Sequence, residues 1–208
     1  MKKGEIKKNK YFLLKGFTLA ELMIVISIVS VISTVVMFGY RQFSDRLALT
    51  SAAQEIAISI REAQSYGVSV RQSSVSSQDF DKAYGIYFSM DDPSYYYIFV
   101  DLNDDQKYEN PSSCTGECVS KTEIRNNVHI SLVCGGAFGG SVSCPLNPSV
   151  RALNVSFIRP NPDARVRFTN SGGSFFGNSY KTGRVELTSP LGNTMRVDVE
   201  NTGQIYIN

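Results

Sequence analysis

Three constellations in this chain of 208 residues have the residue types and spacing to do chemistry. The first is Lys15-Gly16-Phe17-Thr18-Leu19-Ala20-Glu21-Leu22. Cutting the Gly16–Phe17 peptide bond would leave a cationic amine on Phe17, four residues from the Glu21 carboxylate, and residues four apart share a helix face. In low dielectric opposite charges attract strongly, so this carboxylate could also take the amine of a neighbouring copy. A plainer reading stays open beside it: an acidic residue near a helix N-terminus complements the helix dipole.

The second constellation is Asp101-Leu102-Asn103-Asp104-Asp105, with Glu109 four residues on. Oxygen side chains at alternate positions are what calcium loops use at positions 1, 3 and 5. Two departures weaken the match: Gln106 stands where the sharp turn wants glycine, and Ser112 where a bidentate glutamate belongs. An acidic surface turn after a strand is the simpler account. The third is basic. Arg165 and Arg167 would share one strand face, with Arg159, Lys181, Arg184 and Arg196 in the same half of the chain, as a nucleic-acid surface would need. Solvated strand faces explain them as well.

Catalysis finds little to work with. The sole histidine, His129, alternates with Val128 and Ile130, the pattern of a partly buried strand residue. No serine sits in a G-x-S-x-G elbow. The glycine-rich run 135–140 lacks the Lys-Ser/Thr ending of a phosphate loop and reads as flexible. Tyr95, Tyr96 and Tyr97 could stack on sugars or bases, but alternation on a hairpin already explains them. The chain is therefore read as a non-enzyme with no cofactor, calcium at Asp101, Asn103, Asp105 and Glu109 being the one candidate.

The first constellation is positioned by the apolar run behind it. From Phe17 to Gly39 there are 23 residues with one charge, Glu21. As a helix this run reaches roughly 34 Å, enough for a bilayer's hydrocarbon core. A mid-bilayer charge costs roughly 2.5 to 3.5 kcal/mol, so the place of Glu21 near one end matters. Lys2, Lys3, Lys7, Lys8, Lys10 and Lys15 all precede the span. Positive flanks stay cytoplasmic, which puts the C-terminal part outside. A cleaved secretory signal would be shorter and end in small residues, so the anchor is expected to be kept. The formal charge of +2 hides an asymmetry: residues 1–16 carry net +5 and the remainder net −3. Such a remainder argues against tight non-specific DNA binding, which needs concentrated positive charge.

Cys114, Cys118, Cys134 and Cys144 fall in the part expected outside, where disulfides persist. Three pairings are possible; Cys114 with Cys118 and Cys134 with Cys144 each close a short segment and are favoured. Free thiols are the alternative. The spacings C-x3-C and C-x9-C match no usual zinc pair.

Past Gly39 the helix is expected to continue to about residue 70. Phe43, Leu47, Leu49, Ala53, Ile56, Ile60, Ala63 and Gly67 recur mostly at three and four spacing and form a stripe that should pack on a folded domain. Gly39 itself is a candidate bend, since glycine in a helix costs about 1 kcal/mol relative to alanine. Beyond a loop at 72–77 the pattern changes to period two. Strands are predicted at 83–89 and 95–101 as a hairpin, at 128–134, 154–159 and 164–169, and at 184–189, 194–200 and 204–207 as a meander. The fold class is α+β, a long helix laid across an antiparallel sheet. The organisation is a basic leader at 1–16, a transmembrane helix at 17–39, an amphipathic continuation at 40–70 and a β-rich domain at 71–208.

Gly16 followed by Phe17-Thr18-Leu19-Ala20-Glu21-Leu22, behind a lysine-rich leader, resembles the class III signal of type IV pilins and type II secretion pseudopilins. The resemblance implies cleavage after Gly16 by a prepilin peptidase, methylation of Phe17, and use of Glu21 in assembly. Its implied partners are other pilin subunits, the pilus assembly platform and the cytoplasmic membrane, with the domain outside and later in a pilus or pseudopilus. Many major pilins carry a proline in the helix near Gly39; this chain has none there, which leans towards a minor subunit. The order of elements, with Ile60-Arg61-Glu62-Ala63-Gln64 and Phe99-Val100-Asp101-Leu102-Asn103, is similar to GspH/FimT-like minor pilins and pseudopilins. Some pseudopilins of this kind use calcium. Some FimT-like pilins bind DNA through an arginine-containing C-terminal tail, and here the sequence closes Gly203-Gln204-Ile205-Tyr206-Ile207-Asn208. A DNA-uptake pilin and an uncleaved anchored ectodomain are the competing readings.

Overall fold

A computed structural model of the chain describes residues 16–69, 81–109, 113–138, 141–144 and 146–208. The leader lysines, the loop at 72–77, Ser112 and the end of the glycine run lie outside the described residues. By contacts the chain forms two compact units, the second being Gln42–Asn208.

One α-helix, α1, runs Leu19–Val68 without a break at Gly39. It begins where it does because Thr18 caps it: the Thr18 hydroxyl accepts the Glu21 N–H at 3.2 Å, and the Thr18 carbonyl accepts the Leu22 N–H at 3.1 Å. A threonine at this position satisfies an amide that the first turn leaves without an intrahelical acceptor. From Leu19 to Met37 the apolar side chains are exposed. Three of the hydroxyls among them bond within the helix: Ser27 donates to the Ile24 carbonyl, Ser30 to Ile26 and Thr34 to Ser30, at 2.7 to 2.9 Å. Back-bonding of this kind lowers the cost of carrying a hydroxyl into lipid.

Within the second unit the helix buries Leu49, Ala52, Ala53, Ile56, Ala57, Ile60 and Ala63. The strands that receive it are β1 Ala83–Ser89, β2 Tyr95–Asp101, β3 Cys118–Glu123, β4 His129–Gly136, β5 Val142–Ser143, β6 Val150–Phe157, β7 Ala164–Asn170, β8 Phe175–Tyr180, β9 Thr182–Thr188, β10 Thr194–Glu200 and β11 Ile205–Ile207. They form two sheets, ordered β3-β2-β1-β6-β7-β8 and β11-β10-β9-β4-β5. Every pairing is antiparallel. Ile56 and Ile60 of the helix join Phe88, Tyr96, Phe157 and Phe168 of the first sheet and Val133, Leu187 and Val199 of the second in one core. Gly67 belongs to that contact, since a Cβ there would collide with the Phe157 carbonyl oxygen.

The α+β class read from the sequence stands, but the single expected sheet is two. Three strands have no predicted counterpart. β3 and β8 are edge strands with polar or alternating composition and much exposure, and β5 has only two residues, so none carries the apolar run that marks a buried strand. Gly135 and Gly136, read as part of a flexible loop, continue β4 and pair with Ser143 and Val142. The helix stripe also needs correction. Phe43 and Leu47 are exposed, whereas the charged Asp45 between them is buried. Asp45 takes that place because the turn between β9 and β10 supplies its donors: Ser189 Oγ at 2.5 Å and Asn193 Nδ2 at 2.7 Å on Oδ2, and the Leu191 N–H at 3.3 Å on Oδ1. These hydrogen bonds, that of Ser189 foremost, hold the Asp45 carboxyl below its ordinary value.

Candidate processing and anchoring site

Gly16, Phe17 and Thr18 are exposed and non-helical, and the helix starts one residue later. The Gly16–Phe17 bond thus precedes the cap. Among the described residues nothing lies within 4 Å of a Cβ placed on Gly16. A cut there would leave Thr18 in the mature chain with its cap intact. Glu21 stands at the third helical position. Thr18-x-x-Glu21 has the spacing of a capping box, although only the half from the Thr18 side chain to the Glu21 N–H is made. That spacing is present in the sequence and is a signal the reading of Glu21 left unused.

The helix behind this site is the one described helix long and apolar enough to cross a membrane, with a mean hydropathy of 2.5 in its best window. Exposed apolar side chains from Phe17 to Met37 surround it. In water such a surface is unfavourable at about 25 cal/mol per Å² and demands lipid or protein around it.

Both cysteine pairs favoured from the sequence are bonded, Cys114 to Cys118 and Cys134 to Cys144. The first bridge joins the start of β3 to the loop before it. Beside it, Glu117 accepts the Leu102 N–H on one oxygen at 3.0 Å and the Glu109 N–H on the other at 3.2 Å. This clamp folds the acidic loop back on the sheet, and burial pushes the Glu117 carboxyl up.

The calcium donor set does not fit a cation. Asp101 is buried and gives one carboxylate oxygen to the Asp105 N–H at 3.0 Å and the other to the Gln106 N–H at 2.8 Å. Asn103 accepts the same Asp105 N–H. The Lys107 ammonium sits 3.2 Å from Asp105 and 3.7 Å from Glu109, filling the cationic role itself. Among the described residues no three His, Cys, Asp or Glu side chains are grouped to hold a metal. Desolvation raises the Asp101 carboxyl despite those two N–H donors.

The arginines are mostly spent in pairs. Arg184 makes two bonds to Asp198 at 2.6 and 2.7 Å, Arg196 pairs with Glu186 at 3.0 Å, and Arg159 pairs with Asp81. Arg165 is exposed on β7, and Arg167 lies with its guanidinium 4.2 Å from the Phe175 ring centroid. They share a strand face, at alternate positions of β7. His129 is half-buried at the start of β4. Tyr96 turns to the helix, where its hydroxyl meets Ser59 Oγ at 2.9 Å, while Tyr97 turns to the opposite face of the sheet.

Residues 15–37 match the family model of the prokaryotic N-terminal methylation motif. That segment contains the exposed Gly16–Phe17 bond, the Thr18 cap, Glu21 and most of the apolar span. The match supports a pilin-like precursor; the membrane-capable helix and the disulfide-bearing α+β domain are features of the structure. No curated protein and no solved structure matches the chain.

Proposed function

We propose that the chain is a structural subunit of a type IV pilus or type II secretion pseudopilus, in the manner of the GspH/FimT-like minor subunits. It is made as a precursor with a leader at 1–16. The leader keeps the N-terminus cytoplasmic while residues 17–39 hold it in the cytoplasmic membrane with the domain outside. Prepilin peptidase removes the leader after Gly16 and Phe17 becomes the methylated terminus. Assembly on the pilus platform then packs the apolar helix against those of neighbouring subunits, with Glu21 of one copy taking the Phe17 amine of another.

The observation that carries this reading is the coincidence of the methylation motif at 15–37 with an uncovered bond just ahead of a capped, lipid-compatible helix. The exposed apolar surface of that helix supports both its states. In the membrane lipid covers it, and in a filament other copies do.

The test is the mature N-terminus of the full chain, expressed with and without a prepilin peptidase and read by mass spectrometry of the terminal peptide. The expected result is a peptidase-dependent start at Phe17, heavier by one methyl group. A start at Met1 under both conditions overturns the reading and leaves an anchored ectodomain.

A further inference from the structure

The six-stranded sheet has a second face, turned away from the helix. Tyr108, from the loop after β2, closes over part of it. Its ring stacks on Tyr97 with centroids 5.3 Å apart and also meets Tyr87 and Phe99. Its N–H donates to Asn154 Oδ1 at 2.9 Å and its hydroxyl to the Ser113 carbonyl at 3.0 Å. Beside this aromatic patch a cleft of about 570 Å³ opens between the acidic loop and the turn from β7 to β8. Its size is that of small-molecule sites, roughly 300 to 1,000 Å³.

Each carboxylate that lines the cleft has a cation near it. Asp91 is paired with Arg151 at 2.6 Å, Asp92 with Lys121 at 3.1 Å, and Glu109 lies 3.7 Å from Lys107. Asp91 and Asp92 already have a cation each and Glu109 shares Lys107 with Asp105, so a cationic ligand gains little, and three carboxylates disfavour an anion. Hydrogen-bonding capacity remains. Arg151 uses only Oδ1 of Asp91, through both Nε and Nη2. Tyr97 and Lys121 both use Oδ2 of Asp92. One oxygen of each carboxylate is left as an acceptor, fixed in place by the ion pair behind it. Across the cleft, Asn170 gives its Oδ1 to the Gly172 and Ser174 N–H groups and keeps its Nδ2 as a donor. Fixed acceptors and an amide donor, above a floor formed by the buried Tyr87 and Tyr108 rings, are complementary to a ligand that is neutral and rich in hydroxyls.

We propose that this cleft is a binding site for a neutral saccharide, with Asp91 and Asp92 accepting from its hydroxyls, Asn170 donating to it, and Tyr87 and Tyr108 bounding its apolar face. The site lies in the β domain and is independent of whether the leader is cut.

The test uses the full chain in lauryldimethylamine oxide micelles, a detergent without a sugar head group. Lactose, cellobiose and di-N-acetylchitobiose are the neutral probes, with spermidine and a heparin disaccharide as charged controls. Saturation-transfer NMR and calorimetry are expected to show at least one neutral disaccharide binding with Kd of about 1 mM or tighter. Affinity should be equal at low and high salt, since no net charge is involved. Asp91→Asn should weaken it about tenfold, the usual size for losing a bond to a charged acceptor. Gly172→Phe should abolish it: a Cβ at Gly172 meets only the Asn170 side chain at 3.4 Å, so the ring can enter the cleft without moving the core. Binding by none of the three neutral probes overturns the proposal, as does binding undiminished in both variants or binding of spermidine alone.

Discussion

The two parts of α1 differ in one respect that decides everything else about them. From Leu19 to Met37 apolar residues fall on every side of the helix and their side chains are exposed. From Leu49 to Ala63 it is apolar on one face only, and that face is among the most buried surface in the protein. Ser27, Ser30 and Thr34 turn inward to their own carbonyls, whereas Ser59 reaches out to Tyr96. A helix that is hydrophobic all round needs lipid or other helices, and one with a stripe needs a folded neighbour. The first part is thus built for partners the single chain does not contain, and the second for partners that the same chain supplies.

The comparison breaks first at Glu21. Glu21→Ala is expected to leave peptidase processing intact and to reduce incorporation into sheared filaments to background, because the residue lies in the part that needs other copies. Normal incorporation would sink the pairing with a neighbour's Phe17 amine. The next effect is on stability and should separate the two parts cleanly. Ile60→Ala leaves a cavity in the core and should cost about 2 to 5 kcal/mol in urea unfolding of the full chain in detergent. Ile28→Ala, on the exposed part, should leave the midpoint unchanged.

Asp45 sharpens the comparison on the domain side. Its folded carboxyl is held below the ordinary value by Ser189, Asn193 and Leu191, so it binds its proton later than the unfolded chain does. The stability it gives is present above the ordinary carboxylate range, near 3.8, and is lost as pH falls through the lowered folded value. Asp101 and Glu117 are raised by burial and run the other way, gaining stability as pH falls towards their ordinary values of 3.8 and 4.5. In a titration of unfolding midpoints, Asp45→Asn should lower stability at pH 7 and remove the Asp45 share of the loss below pH 4. Unchanged acid behaviour would mean that the β9–β10 turn is held by something else. The smallest effect belongs to the membrane end, where Thr18→Ala removes the cap and should cost about 1 kcal/mol. It would be read as faster amide exchange confined to the first turn of α1, with the domain unaffected.

Much of the fold is legible from residue order. The apolar run after Glu21, the stripe from Leu49 to Gly67 and the hairpin of β1 and β2 rest on local periodicity, and the structure has them where the pattern put them. The strands with little local signal are not legible. β8 is Phe175-Phe176-Gly177-Asn178-Ser179-Tyr180, which has no alternation to read and becomes a strand because the β7 edge offers it hydrogen-bond partners. Periodicity also overcounts. Phe43 and Leu47 fit the helix stripe by spacing yet are exposed, and Asp45 is buried in their stead, because the donors that make its burial tolerable come from 144 to 148 residues further along the chain.

The candidate sites divide in the same way. Gly16, Phe17 and Glu21 are close together in sequence, so their spacing alone defined the processing and anchoring reading, and the fold adds only that the bond is uncovered and the helix capped by Thr18. The alternation of Asp101, Asn103 and Asp105 suggested calcium, but spacing cannot say what a carboxylate will find when it is folded. In three dimensions those oxygens accept backbone N–H groups and Lys107 serves as the cation. The saccharide cleft had no sequence signature, since Asp91, Tyr108 and Asn170 come from three separate turns and meet only through the order β2-β1-β6-β7. Legible from the residues alone is whatever depends on neighbours a few positions away: the apolar helix, the charge within it and the spacing of Gly16, Phe17 and Glu21. The pairing into two sheets, the burial of Asp45 and the ion pairs of Asp91 and Asp92 at the cleft come from the folded chain, because each depends on contacts between residues far apart in sequence.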